Sequence, residues 1–256
     1  MRNLFCFIQC NLRIMWSNFR SLFKADIKFI ARDPLLLLTI LAPFFLILFL
    51  RLVFPLISDF IFLKTGFQLD KYYTLAAITM VPIIPMLFGI VYAFILPDEN
   101  DMHILQVIAV TPAGKKNFLY MRMIVSTFLS FIIVLFSIIV TNPVPSEGWL
   151  RTIFVSFLLS TQSPFIFLFI GSLAGNKVVG LALLKLYGIF LAAVPIGLLL
   201  HHPWNYFAFF SPLYWISWAW MTSVPVESLI YGAISMIITF GCILIFFRHF
   251  LKKPTN

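Results

Sequence analysis

Six apolar runs, each close to twenty residues long, dominate the pattern of hydrophobic and polar positions along the chain. They fall at about 35–57, 75–96, 121–141, 152–174, 178–200 and 229–247. Each is long enough to cross about 30 Å of hydrocarbon as a helix rising about 1.5 Å per residue. None alternates with a period of two between turns, which disfavours a lipid-facing β-barrel. Upstream the pattern changes. Leu22, Phe23, Ile27, Phe29 and Ile30 interleave with Lys24, Asp26, Lys28 and Arg32. That spacing predicts an amphipathic helix over residues 20–33, lying in the membrane interface and stopping before Pro34. Residues 1–33 lack the compact apolar core and small-residue cleavage site of a secretory signal. No internal repeat and no low-complexity linker divides the sequence, so residues 1–256 read as one membrane domain.

Composition narrows the class. The 256 residues are 62% hydrophobic and 11% charged, with a mean hydropathy of +1.03. A soluble domain is about 45–50% apolar and about 25% charged. Such an excess cannot be hidden in one globule, which excludes a soluble enzyme and equally a disordered chain. The fold class expected is an all-α polytopic membrane protein with six transmembrane helices.

The net charge of +9 acquires a topological meaning once the spans are in place. With the N-terminus inside, the cytoplasmic segments hold Arg2, Arg13, Arg20, Lys24, Lys28, Arg32, Lys115, Lys116, Arg122, Lys177, Arg248, Lys252 and Lys253. The outer side holds Arg51, Lys64, Lys71 and Arg151, and Lys185 falls within a span. This bias predicts both termini in the cytoplasm and absorbs the basic character, so no nucleic-acid partner is invoked. Cys6, Cys10 and Cys242 form no disulfide framework, and no metal-ligating cluster surrounds them.

Catalytic chemistry is sparse. No phosphate-binding loop, no H-E-x-x-H, no C-x-x-C and no G-x-S-x-G occurs, and the nine acids all fall in predicted loops or interfaces. A proton-driven carrier needs titratable groups at membrane depth, and the spans supply no acid for it. Lys185, about eight residues into the fifth span, either snorkels to the inner interface or lines a cavity facing an anionic group. Gln162, in the polar patch Ser160–Ser163, serves interhelical hydrogen bonding or touches a substrate. His201 and His202 follow the fifth span; adjacent side chains diverge, which favours an interface role over a metal site. Pro82 and Pro85 in the second span, and Pro195 in the fifth, predict bends that suit a moving helix.

Two loops carry the functional signal. Residues 98–116 open with Asp98, Glu99 and Asp101, continue through an apolar helical run at Ile104, Leu105, Val107, Ile108 and Val110, and close with Thr111-Pro112 and a basic turn at Lys115-Lys116. Acids at the start of a helix and bases after its end complement the helix dipole, and Pro112 stops the run. Exposed apolar residues on a connector imply that something docks there. Residues 201–228 carry Trp204, Tyr206, Tyr214, Trp215, Trp218 and Trp220, broken by Pro203, Pro212 and Pro225. Tyr and Trp favour the headgroup layer, which predicts an outer re-entrant hairpin that acts as a gate or as a passive aromatic belt.

The first loop resembles the intracellular loop of type-2 ABC exporter permeases, matching at Glu99, Leu105, Thr111, Pro112 and Lys115. The family commonly has a Gly-Thr pair after the acids, where this chain has Met102-His103. The interfacial helix, six spans, inward termini and outer hairpin fit as well, over about residues 20–250. The resemblance implies an exporter permease of a bacterial inner membrane, with a separate ABC ATPase subunit that grips the 98–116 loop and supplies ATP and Mg. It also implies a second permease copy, as a homodimer or heterodimer. The ATPase-coupling residues are then Glu99, Leu105, Ile108, Thr111, Pro112 and Lys115. The pathway or gate residues are Gln162, Lys185, Trp215 and Trp218, and the chain itself has no catalytic residue. The scarcity of charge in the spans points to a hydrophobic or amphipathic cargo: a peptide, a lipid or a drug. Two readings compete: a membrane enzyme acting on lipid through His201, His202 and Glu227, and a non-catalytic assembly subunit.

Overall fold

A computed structural model describes residues 26–102, 114–144, 148–199 and 205–252. Their regular structure is helical, with no strand among the described residues. The chain divides at Leu38 into two compact units. In the first, helix α1 covers residues 26–32, and residues 20–25 of the expected amphipathic helix lie outside the described residues. Helix α2, Pro34–Leu48, begins at once. Asp33 makes this junction, since its Oδ1 accepts the N–H of Leu35 at 2.9 Å. Pro34 fits the first helical position, where an N–H would have no intrahelical partner.

Six stretches are long and apolar enough to cross a membrane: Pro34–Thr65, Leu69–Asn100, Lys116–Thr141, Trp149–Leu173, Lys177–Leu199 and Pro225–Lys252. They coincide with the six expected runs, with differences that follow from proline chemistry. Proline lacks an N–H, and its ring opposes the carbonyl four residues earlier. In the first stretch Pro55 opposes Arg51, and a π-helical turn at Phe49–Val53 joins α2 to α3, Phe54–Thr65. The helix therefore runs past the expected end at 57, until Gly66 caps it with φ 71 and donates to the Phe62 carbonyl at 2.9 Å. In the second stretch Pro85 opposes Val81, and the helix breaks there into α4, Tyr73–Met80, and α5, Ile83–Asp101. In the fourth, Pro164 opposes Ser160, and α7, Trp149–Ser160, gives way to α8, Gln162–Leu173, at Thr161. The third stretch lies in α6, Gly114–Thr141, and the fifth, α9, Lys177–Leu199, runs as one helix through Pro195. Two short helices follow, α10, Asn205–Ala208, and α11, Pro212–Met221, before α12, Pro225–Lys252.

The centre of the second unit is the pair formed by the second and fourth stretches. Their apolar windows are 72% and 83% buried, against a third or less for the other four. Helix α5 lies along α8, and Gly89 makes the approach possible. A Cβ there would stand 2.6 Å from the Ser163 carbonyl oxygen and 2.9 Å from Ile166 Cβ. Small residues at such crossings let backbones approach when no water is present to drive helices together. The outer four stretches leave many apolar side chains exposed, among them Phe45, Leu63, Ile124, Ile189 and Ile237. A soluble protein does not tolerate such a surface, and hydrocarbon solvates it.

Candidate functional site

The acidic cluster that opens the 98–116 loop sits at the C-terminal end of a helix. Helix α5 continues through Pro97 to Asp101. The helix expected to follow these acids lies outside the described residues. At a C-terminus the dipole opposes a carboxylate, so an acid there gains from a cation brought by another element.

Glu99 and Asp98 each meet a cation. Arg122 of α6 donates through two guanidinium nitrogens to the two oxygens of Glu99, each at 2.6 Å. The side chains are 3% and 5% exposed. Phe118, one turn earlier on α6, presents its ring 4.4 Å from the guanidinium carbon. A fork-to-fork pair of this kind is strong and fixes orientation as well as distance. Lys177, the first residue of α9, meets Asp98 at 2.8 Å, with both side chains about a third exposed. The two flanks of the loop are thus joined through Glu99 and Arg122, and the start of the fifth stretch is tied to the same point through Lys177.

The loop's middle is another matter. Leu105, Ile108, Thr111 and Pro112, with the apolar helix expected around them, lie outside the described residues. Lys115 and Lys116 belong to the first turn of α6, so the basic turn expected there is helix instead. Of Lys115 only this backbone placement is described.

Gln162 is fully buried at the α7–α8 break, and its amide donates to Thr239 of α12 at 3.0 Å. Its Oε1 and the neighbouring Ser163 hydroxyl have no hydrogen-bond partner among the described residues. Lys185 lies exposed on the outside of α9 rather than in an internal cavity of the chain. Gln162 and Lys185 therefore do not share one site within a single chain.

The hairpin packs into the helical layer. Ser211 donates to the Phe190 carbonyl at 2.9 Å, nine residues short of the end of α9 and so about 14 Å inward. Ser228 donates to the Ala219 carbonyl at 2.7 Å. Trp215 donates to the Phe209 carbonyl at 2.9 Å and lies 5.3 Å and 5.9 Å from the rings of Tyr214 and Tyr231. Trp218 contacts the same two rings. His201 and His202 lie outside the described residues, and Glu227 accepts from Thr222 at 2.7 Å.

Two arginines carry this architecture without having been singled out from sequence. Arg122 is the first; it stands one residue inside the apolar run at 121, and a charge at such a position signals a buried partner. The second is Arg151, on the first turn of α7. It donates to the carbonyls of Ala219 at 3.3 Å and Trp220 at 2.5 Å, and also to that of Thr222. Ala219 and Trp220 belong to the last turn of α11 and Thr222 caps it, and carbonyls at such an end have no intrahelical partner. Nothing in the local sequence of Arg151 announces that role.

The family described as fluoroquinolones export permease protein Rv2686c-like matches residues 26–247. The fluoroquinolones export permease proteins Rv2686c and MT2760, from two strains of Mycobacterium tuberculosis, are each 26% identical to the chain over 209 residues. The alignment covers 78% of this chain and 81% of theirs. No solved structure matches. With six apolar helices, a loop anchored by buried charge at its base, and a family match over most of its length, the chain is a multi-pass membrane protein that belongs to the Rv2686c-like export permease family, a family of type-2 ABC exporter permeases.

Proposed function

We propose that this permease subunit works with a separate ATPase that hydrolyses ATP with Mg, and that the loop between the second and third stretches is the handle the ATPase grips. The observation that carries this reading is the buried Glu99–Arg122 pair. A loop that only connects two helices has no need of a bidentate ion pair at its base. A loop that must pass force into two helices at once does. Asp98 and Lys177 extend the same base to the fifth stretch, so a push on the loop reaches three spans together. Leu105 and Ile108 supply the apolar docking face, Thr111 and Pro112 end it, and Lys115 marks the return into α6.

The pathway forms between two permease copies. Helix α9 leaves Ala182, Lys185, Ile189 and Ala192 exposed at alternating spacings of three and four, with an alanine on either side of the lysine. Such a stripe suits close packing against a second helix. With two copies packed through this stripe, Lys185 would border the space between them and attract an acidic group on an otherwise apolar cargo. An amphipathic drug of the kind in the relatives' names fits this chemistry. Trp215 and Trp218 border the outer exit, and Gln162 holds the fourth and sixth stretches together behind it.

The test is co-expression with a candidate ABC ATPase from the same genome, followed by affinity purification through the permease. Wild type brings the ATPase with it, and Leu105→Asp and Ile108→Asp lose it while still inserting in the membrane. ATPase retained by both variants removes the docking assignment. Cargo transport that persists in Lys185→Ala removes the pathway assignment alone.

A further inference from the structure

A cleft of about 440 Å³ opens sideways between α6, the α7–α8 break and α12. It lies on the other side of α6 from Arg122. Tyr120, Thr127 and Phe131 line it from α6, Phe157 and Pro164 from the break, and Phe240 from α12. Its size is within the range of small-molecule sites, about 300–1,000 Å³. The hydroxyls along its wall are turned away. Thr127 donates to the Met123 carbonyl at 2.7 Å, Ser160 to Phe157 at 2.7 Å and Thr161 to Leu158 at 2.6 Å. The wall therefore offers mostly methylene, methyl and aromatic surface, with its serine and threonine hydroxyls taken up by backbone carbonyls, which suits a hydrocarbon chain better than a polar ring system. From Tyr120 to Phe131 the cleft runs eleven residues along α6, about 16 Å, close to the depth of one leaflet's hydrocarbon.

The mouth is cationic. Lys116 stands one turn before Tyr120 on the same stripe of α6, and it is exposed. The ring of Tyr120 meets that of Phe247 on α12 at 4.9 Å, and Arg248 follows, also exposed. Neither cation has an ion-pair partner among the described residues. Helix α6 contains no acid, and the one acid of α12, Glu227, is at its opposite end. We infer that this cleft is a binding site for an anionic phospholipid, with an acyl chain between α6, Pro164 and Phe240 and the phosphate between Lys116 and Arg248. Charge complementarity names the headgroup class, and the length and dryness of the wall name the tail.

The test uses the purified full chain in detergent, titrated with phosphatidylglycerol or with phosphatidylcholine bearing the same acyl chains. Bound lipid is counted by native mass spectrometry, and the thermal midpoint is followed in parallel. The expected result is one phosphatidylglycerol retained per chain with a rise in midpoint of several degrees. Phosphatidylcholine gives a smaller rise. Lys116→Glu with Arg248→Glu weakens phosphatidylglycerol about tenfold and leaves phosphatidylcholine unchanged. Thr127→Trp fills the cleft and abolishes retention. Ile124→Trp, at an exposed rim position, does the same without demanding space in the core, and so decides the matter if the first variant fails to fold. Equal retention of both lipids, or full retention in the charge-reversed protein, overturns the headgroup assignment. Full retention in Ile124→Trp overturns the cleft. Displacement of the lipid by an aromatic export substrate, with the same variants blocking both, identifies the occupant as cargo and overturns the proposal.

Discussion

Arg122 and Glu99 come from helices on either side of the loop at residues 102–113 and meet inside the protein through two hydrogen bonds of 2.6 Å. The pair is too deep for water to compensate either charge alone. Removing one partner of such a pair costs about 3–5 kcal/mol, because the other charge is left stranded. Arg122→Ala is therefore expected to lower the thermal midpoint of the purified chain sharply. The double neutral variant, Glu99→Gln with Arg122→Gln, recovers most of the loss. A midpoint for Arg122→Ala within a degree of wild type removes this account.

Lys177 and Asp98 offer the contrast. Their distance of 2.8 Å is as short as many buried pairs, yet both side chains reach water. Exposed pairs are worth about 0–1 kcal/mol and are screened by salt. Lys177→Ala is expected to change stability by less than about 1 kcal/mol, a small effect that shrinks further in high salt. If its effect on cargo export in vesicles nonetheless exceeds its effect on stability, the contact acts in transmission rather than in folding.

Gly89 controls the approach of the two central stretches. A methyl there meets the Ser163 carbonyl oxygen at 2.6 Å, and that oxygen belongs to backbone, which cannot move aside cheaply. Gly89→Ala is expected to destabilise by about 1–3 kcal/mol, the usual range for overpacking. Gly188, in the fifth stretch, has open space where its Cβ would be. Gly188→Ala is expected to be neutral or slightly stabilising, because alanine favours the helix. Thermal melts of the two variants side by side check the distinction.

The spans were legible because a bilayer permits few alternatives: a segment that crosses it is apolar, and its backbone is satisfied internally. Their ends were less so. The residues after 57 include Ser58, Asp59 and Lys64, which read as loop, but a helix keeps its own hydrogen bonds and continues into water until Gly66 stops it. The apolar run ending at 96 placed the acids of residues 98–101 in a loop. In the structure α5 carries Pro97 in its last turns and the acids close it. The partners of those acids could not be read at all. Glu99 and Arg122 are separated by 23 positions, and Arg151 by 71 from Thr222. No periodicity links such residues, because their meeting depends on how whole helices cross.

Arg151 supplies the last expectation. The final carbonyls of helix α11 have no intrahelical partner, and apart from Ser228 on the Ala219 carbonyl it is Arg151 that serves them. One guanidinium nitrogen of Arg151 reaches the carbonyls of Ala219, Trp220 and Thr222. Its positive charge also meets the negative end of the α11 dipole. Arg151→Met keeps much of the side chain's bulk and removes every donor. It is expected to cost about 1–3 kcal/mol, the penalty for leaving a buried acceptor unmade, and to loosen the hairpin ahead of the rest of the fold. Trp215, Trp218 and Trp220 report this directly, since all three lie on α11. Their emission should shift to the red, and acrylamide should quench them more, at temperatures where circular dichroism still shows full helix. Arg151→Lys keeps a charge and donors at that end and is expected to restore part of the effect. Unchanged tryptophan quenching in Arg151→Met would mean that the hairpin is held by its aromatic packing alone.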